Sequence, residues 1–175
     1  MENKLTIRDA ESLDVLVVYK NVDVTSKLDW SPDSKFIMAA QFKRNVVQVY
    51  SVDDHKWTCK LSEGSAGISG ASWAPSGRHI ITTQRFQLQL SIWSLTDKKR
   101  WVIESPKFSE KGQAFSNDGN FFAVVERKKH RDCIGIYHCA SWEMVKYFQT
   151  ETQHLEDISW SPDDSAIAVW DTSLE

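Results

Sequence analysis

The sequence predicts an all-β molecule of the propeller class, an open arc of three complete four-stranded blades and two half blades. Three observations predict it. A motif of one aromatic, one small residue and a tight turn occurs four times, as Trp30-Ser31-Pro32-Asp33-Ser34, Trp73-Ala74-Pro75-Ser76-Gly77, Phe115-Ser116-Asn117-Asp118-Gly119 and Trp160-Ser161-Pro162-Asp163-Asp164. The four aromatics stand 43, 42 and 45 residues apart, the period of a repeated blade. A second aromatic (Tyr50, Trp93, Tyr137) follows each of the first three by 20 to 22 residues and closes a run of alternating polarity.

Each blade follows from this phase. The first strand ends at the motif aromatic, and the Pro, Asp, Asn or Gly turn after it supplies the reversal that an antiparallel meander needs. The apolar runs Phe36 to Phe42, His79 to Phe86 and Phe121 to Arg127 are second strands. Asn45 to Tyr50, Leu88 to Trp93 and Cys133 to Tyr137 are third strands, whose period of two gives each a packed face. Lys56 to Leu61, Arg100 to Glu104 and Glu143 to Thr150 are fourth strands. The blades fall at residues 22–63, 64–106 and 107–150, with half blades at 1–21 and 151–175.

The half blades are unequal. Ile7 precedes Trp30 by 23 residues, as Tyr50 precedes Trp73, so Lys4 to Arg8 and Leu13 to Tyr19 are a third and a fourth strand. Leu155 to Trp160 and Ala166 to Trp170 are a first and a second strand, which puts Trp170-Asp171 ten residues after Trp160 and out of phase with the aromatics closing third strands. The halves could complement each other in a closed four-bladed ring. The arc, cut from a longer propeller, is favoured because four blades wedged by large aromatics would have to splay strongly.

Trp30, Trp73, Phe115 and Trp160 are the expected blade core, on innermost strands and filling the wedges between blades. Trp57, Trp101 and Trp142 fall on outer strands or turns, where contact with a partner competes with packing. A net charge of -3 offers no global attraction to nucleic acid. Three cysteines without CxxC spacing, an N-terminus without an apolar core and no long apolar run suit a soluble intracellular protein without membrane spans.

Reaction chemistry is not visible in the pattern. Gly64-Ser65-Ala66-Gly67 lacks the spacing of a nucleophile elbow, and the five histidines have no paired metal spacing. Phosphate loops are absent, so no catalytic residue, metal or cofactor is expected. Asp53-Asp54 and Asp163-Asp164 sit in turns where carboxylates cap backbone amides.

One charge pattern stands out. Turns between second and third strands share one face of a meander and carry Lys43, Arg44, Arg85, Arg127, Lys128, Lys129 and Arg131; first-to-second turns share the other and carry Asp33, Asp118, Asp163 and Asp164, with Arg78 the exception. The faces should differ in potential, and the basic rim is a candidate dock for an acidic partner segment.

The motif, its period and the aromatics closing third strands resemble the WD-repeat family over the whole chain. Val47-Gln48-Val49-Tyr50-Ser51-Val52, Trp57-Thr58-Cys59-Lys60, Glu63-Gly64-Ser65-Ala66-Gly67, Gly77-Arg78-His79-Ile80, Ile92-Trp93-Ser94-Leu95, Thr150-Glu151-Thr152-Gln153 and Ala168-Val169-Trp170-Asp171-Thr172 resemble more narrowly the WD-repeat protein eight family of centrosomes and spindle poles. That resemblance implies a non-catalytic scaffold of the cytoplasm and cytoskeleton at the centrosome, centriolar satellite or spindle pole. It also implies a coiled-coil partner that anchors microtubule minus ends, and roles in spindle organisation and cilium assembly. The family is longer than this chain at both ends. One departure concerns the His-Ser-Asp-Trp hydrogen-bond network of many WD repeats, because Arg44, Gln87 and Arg131 stand where its turn Asp is expected.

Two other functions compete. Arg127 to Arg131, with Phe86 or Tyr137 for stacking, could serve an RNA- or phospholipid-binding module, against the net acidity. A propeller hydrolase would need acids or histidines converging on the central channel, and none is apparent.

Overall fold

The computed structural model describes residues 3–86, 88–152 and 154–172. Among these residues the chain forms three four-stranded sheets and two two-stranded ones, all antiparallel. The first pair is β1 (Lys4–Arg8) with β2 (Val15–Lys20). Next come β3 (Lys27–Trp30), β4 (Phe36–Gln41), β5 (Val46–Ser51) and β6 (Thr58–Ser62), then β7 (Ile68–Trp73), β8 (His79–Gln84), β9 (Gln89–Ser94) and β10 (Arg100–Glu104). The third blade holds β11 (Gln113–Phe115), β12 (Phe121–Lys128), β13 (Arg131–His138) and β14 (Met144–Gln149), and the last pair is β15 (Leu155–Trp160) with β16 (Ile167–Asp171).

Every sheet is a meander, each strand paired with its neighbour in sequence. The two pairs remain separate sheets, so the fold is an open arc of propeller blades rather than the closed four-bladed ring.

Alternation within strands decides how blades pack. Met38, Ala40, Val47 and Val49 of the first blade meet Ile68, Ala71, Trp73 and Ile80 of the second. Ile81, Leu90 and Ile92 on the second blade's other face meet Phe122, Val124 and Tyr137 of the third. Leu5, Ile7 and Tyr19 close onto Ile37, Ala39 and Tyr50, and Ala123, Val125 and Ile134 close onto Leu155 and Ile158. Each apolar layer lies between sheets, so a blade buries its faces only by having neighbours.

The motif turn has one conformation in four copies. Its last residue takes a positive φ each time, at Ser34 (59°), Gly77 (64°), Gly119 (72°) and Asp164 (58°), a region glycine occupies without penalty. In three copies the serine hydroxyl donates to the Asp of the turn and accepts the amide that starts the next strand, as with Ser31 to Asp33 (2.7 Å) and Phe36 N to Ser31 Oγ (2.9 Å). These contacts hold the carboxyls of Asp33 and Asp163 down to about 2. The turns also touch across blades: Arg78 pairs with Asp33 at 2.8 Å, and Asp164 accepts the amides of Asn117 and Asp118.

Strand ends depart from expectation where turns claim residues. Leu13 adopts φ 62° in the turn before β2, so that strand begins at Val15. Phe42 belongs to a 3-10 turn ending at Asn45, whose φ of 54° removes it from β5. Phe86 leaves β8 because its amide donates to Ala66 O (3.2 Å). Trp57 closes a turn on Asp54, and β6 therefore starts at Thr58.

The blade-core aromatics do not share one environment. Trp73 is 9% exposed and donates to Asp29 O across the wedge, and Trp160 donates likewise to Ala114 O (3.1 Å). Phe115 is half-buried against the layer holding Phe122. Trp30 corrects the expectation, at 44% exposed. It shares the face of Ile37 that looks toward β1 and β2; as third and fourth strands these cover Ile37 and Tyr50 and leave the innermost strand bare. Trp142, where packing and partner contact competed, is buried against Phe122 and His79.

Candidate functional site

The basic turns form one rim with the loops that lead from each fourth strand into the next blade. Lys43, Arg44, Arg85, Arg127, Lys128, Lys129 and Arg131 are all exposed there. Their charge is interleaved with acid: Arg44 pairs with Asp23 (2.7 Å), Lys128 with Glu126 (2.9 Å) and Arg127 with Asp132 (3.5 Å), while Arg131 donates to Gln149 (3.0 Å). The basic rim is thus mixed in charge, because these acids rise from the same loops and strand ends.

Beneath the rim lie buried carboxylates whose partners are distant in the sequence. Glu63, buried in the loop before the second blade, accepts from Thr82 Oγ1 (2.5 Å), Gln84 Nε2 (2.7 Å) and Arg100 (2.9 Å). Thr82 Oγ1 in turn accepts from Trp93 Nε1 at 2.8 Å. A loop and three strands are thereby tied through one anion. Of Arg44, Gln87 and Arg131, which stand where a turn Asp is expected, Gln87 is outside the described residues.

In the third blade a buried acid is Asp132, near the start of β13. Its carboxylate accepts from Lys107 Nζ (2.8 Å) and Leu155 N (2.9 Å), and Lys107 also donates to Leu155 O (2.5 Å), joining this blade to β15. Lys128 pairs with Arg131 around a two-residue turn in which Lys129 (φ 50°) and His130 (φ 65°) are both left-handed, so the ladder runs further than a looser loop would allow. Glu126, also buried, accepts from Tyr137 Oη at 2.6 Å; burial first and this carboxylate second raise the phenol's pKa. Gly135 lies across the ladder, and a Cβ there would stand 2.6 Å from Glu126 Oε1. Acids interrupting otherwise apolar strands were the signal available for Glu126 and Asp132.

The arrangement holds loop tips still and offers side chains outward. Among the described residues no group of three or more His, Cys, Asp or Glu is placed to hold a metal ion, and no helix is long and apolar enough to cross a membrane. Burial, and secondarily Asp118, pushes the Cys139 thiol up to about 12, leaving it protonated at neutral pH.

Known proteins are similar to this chain at two levels. Mouse WD repeat-containing protein WRAP73 is 40% identical over 175 residues, all of this chain and 38% of the mouse protein. An uncharacterized WD repeat-containing protein of Schizosaccharomyces pombe is 25% identical over 97% of this chain and 37% of its own length. The chain thus spans under two fifths of these curated relatives. Among solved structures, Kuenenia stuttgartiensis hydrazine synthase superposes with a TM-score of 0.59 at 17% identity, over 95% of this chain and 49% of that one, a likeness of fold alone. No protein-family profile matches the chain.

Proposed function

The chain belongs to the WD-repeat family, and from that premise we propose that it serves a non-catalytic protein-interaction scaffold at the centrosome or spindle pole. The observation that carries the scaffold role is the rim, exposed basic side chains on turns whose backbones are held by bonds such as Arg85 N to Gly67 O and by the ladder pair of Lys128 with Arg131, above the buried carboxylates of Glu63, Glu126 and Asp132. Pre-ordered tips bind with less loss of conformational freedom than mobile ones. The finer reading draws support from the strings Val47 to Val52 and Ala168 to Thr172, which resemble the centrosomal family. In that reading a coiled-coil protein that anchors microtubule minus ends is the partner, and spindle organisation and cilium assembly are the processes supported.

Interleaved carboxylates weigh against an RNA or phospholipid ligand, since a polyanion would meet Asp23 beside Arg44 and Glu126 beside Lys128. The test is affinity capture of the tagged protein from dividing cells, with imaging of the same tag. Recovery of a spindle-pole coiled-coil protein and a focus at the centrosome are expected; ribonucleoproteins, or a diffuse signal without such a partner, would overturn the reading. Charge reversal at Arg44, Arg85 and Lys128 together should weaken the association and its salt dependence.

A further inference from the structure

Apolar exposure on this molecule divides into two kinds. Leu16, Val18, Leu28 and Trp30, with Val145, Phe148, Val169 and Trp170, belong to the first and last sheets or the sheets beside them. Leu88, Val102 and Phe86 belong to the middle blade; of these Phe86 is the most exposed, at 76%, and lies on the basic rim.

Its surroundings are built. The Phe86 amide donates to Ala66 O and the Arg85 amide to Gly67 O, both at 3.2 Å, so the tip is fastened to the loop before its blade. Gly67 joins this tip to that of the preceding blade: a Cβ added there would lie 3.2 Å from Asn45 Oδ1 and 3.5 Å from Arg85 Cβ. Asn45 Oδ1 accepts the Ile68 amide at 3.3 Å, and Lys43 and Arg44 precede Asn45 directly. One surface therefore carries an aromatic ring with Arg85 adjacent and Arg44 and Lys43 across a close-packed glycine. A cavity of about 470 Å³ opens beside the ring, lined by Ser65, Ala66 and Arg100 among others.

We propose that Phe86 is the apolar anchor of a docking platform, flanked by Arg85, for an amphipathic helix with acidic residues beside its apolar stripe. The inference rests on the scaffold reading and deepens it by naming the partner's form. A helix fits better than an added strand because the backbone amides of Ala66, Gly67, Ile68, Arg85 and Phe86 already have acceptors. A helix is recognised by side chains alone. Its apolar stripe would cover Phe86, and a carboxylate one turn away would meet Arg85, while Arg44 is engaged by Asp23. Exposed aromatics held on ordered backbone, with arginine beside them, are the usual anchors of protein interfaces.

The test uses the 175-residue chain and fluorescein-labelled helical peptides of Leu, Ala and Glu with Leu at i, i+3, i+4 and i+7. Anisotropy should show tighter binding than to the same peptide with Lys in place of Glu, or with Leu positions scrambled. Phe86→Ala should weaken binding roughly tenfold or more, Phe86→Trp should retain it, and Arg85→Glu should weaken it and flatten its salt dependence. Val102→Ala, an exposed change on β10, should leave it intact, and thermal melts should match throughout because Phe86 packs little. Equal binding by Phe86→Ala and the unaltered chain, or by the acidic and basic peptides, overturns the platform. Tighter binding of a single-stranded oligouridylate also overturns it. Capture of a coiled-coil protein by Phe86→Ala at undiminished yield would remove the anchor and leave the scaffold reading standing.

Discussion

Two tryptophans at the same position of the repeat should respond differently to the same substitution. Trp73→Ala removes a buried ring from the wedge between blades and is expected to cost about 3–5 kcal/mol. Trp30→Ala removes a ring already half in solvent and should cost less than half as much. Denaturant unfolding of the two variants checks this, and equal losses would mean that Trp30 is covered in solution. His79 gives a pH prediction. It packs edge-on against Trp101 and Trp142, and burial lowers its pKa from 6.5 against the opposing pull of Asp97. The unfolded chain therefore takes up a proton that the folded chain resists. Stability should fall as pH drops through 6.5 and keep falling until folded His79 protonates. Melting temperatures across that range should show the decline, and His79→Gln should reduce it.

Among the elements, the loop before the second blade depends on Glu63. Glu63→Ala leaves Thr82 and Gln84, both buried, without their acceptor and Arg100 without its counter-ion. A loss of about 3 kcal/mol is expected. Glu63→Gln, which can still accept one of these bonds, should lose less. Thermal unfolding separates the two, and a neutral Glu63→Ala would show that water replaces the carboxylate. These elements were legible in different degrees. Strand order and the motif turns followed from aromatic period and alternation, because both are local. Neither acid is announced locally: nothing in Lys128-Lys129-His130-Arg131 marks the two-residue turn beside Asp132, and Glu63 draws its partners from β8 and β10.

For the whole molecule, the open arc has a consequence. Its first and last sheets leave β-edges and large apolar side chains uncovered, including Leu28 and Trp30 on one side and Val169 and Trp170 on the other. Such surfaces drive association. The 175-residue chain is expected to self-associate with rising concentration in sedimentation velocity. Trp30→Lys combined with Trp170→Lys should shift it toward monomer. Unchanged monomer across the whole concentration range would mean that the end sheets find cover within one chain.

The sequence by itself determined the repeat, the four-strand unit and the two incomplete sheets. A period of 42 to 45 residues and an alternation of two are properties of neighbouring positions along the chain. It also carried the basic residues of the rim, since they occupy fixed places in each repeat. Only the tertiary structure decided which rings are covered, because a blade's faces are buried by other blades: Trp73 has a neighbour across its face and Trp30 does not. The same holds for the rim's electrostatics. Arg44 meets Asp23 and Lys107 meets Asp132 at distances set by the meander, where charges far apart in the chain become partners.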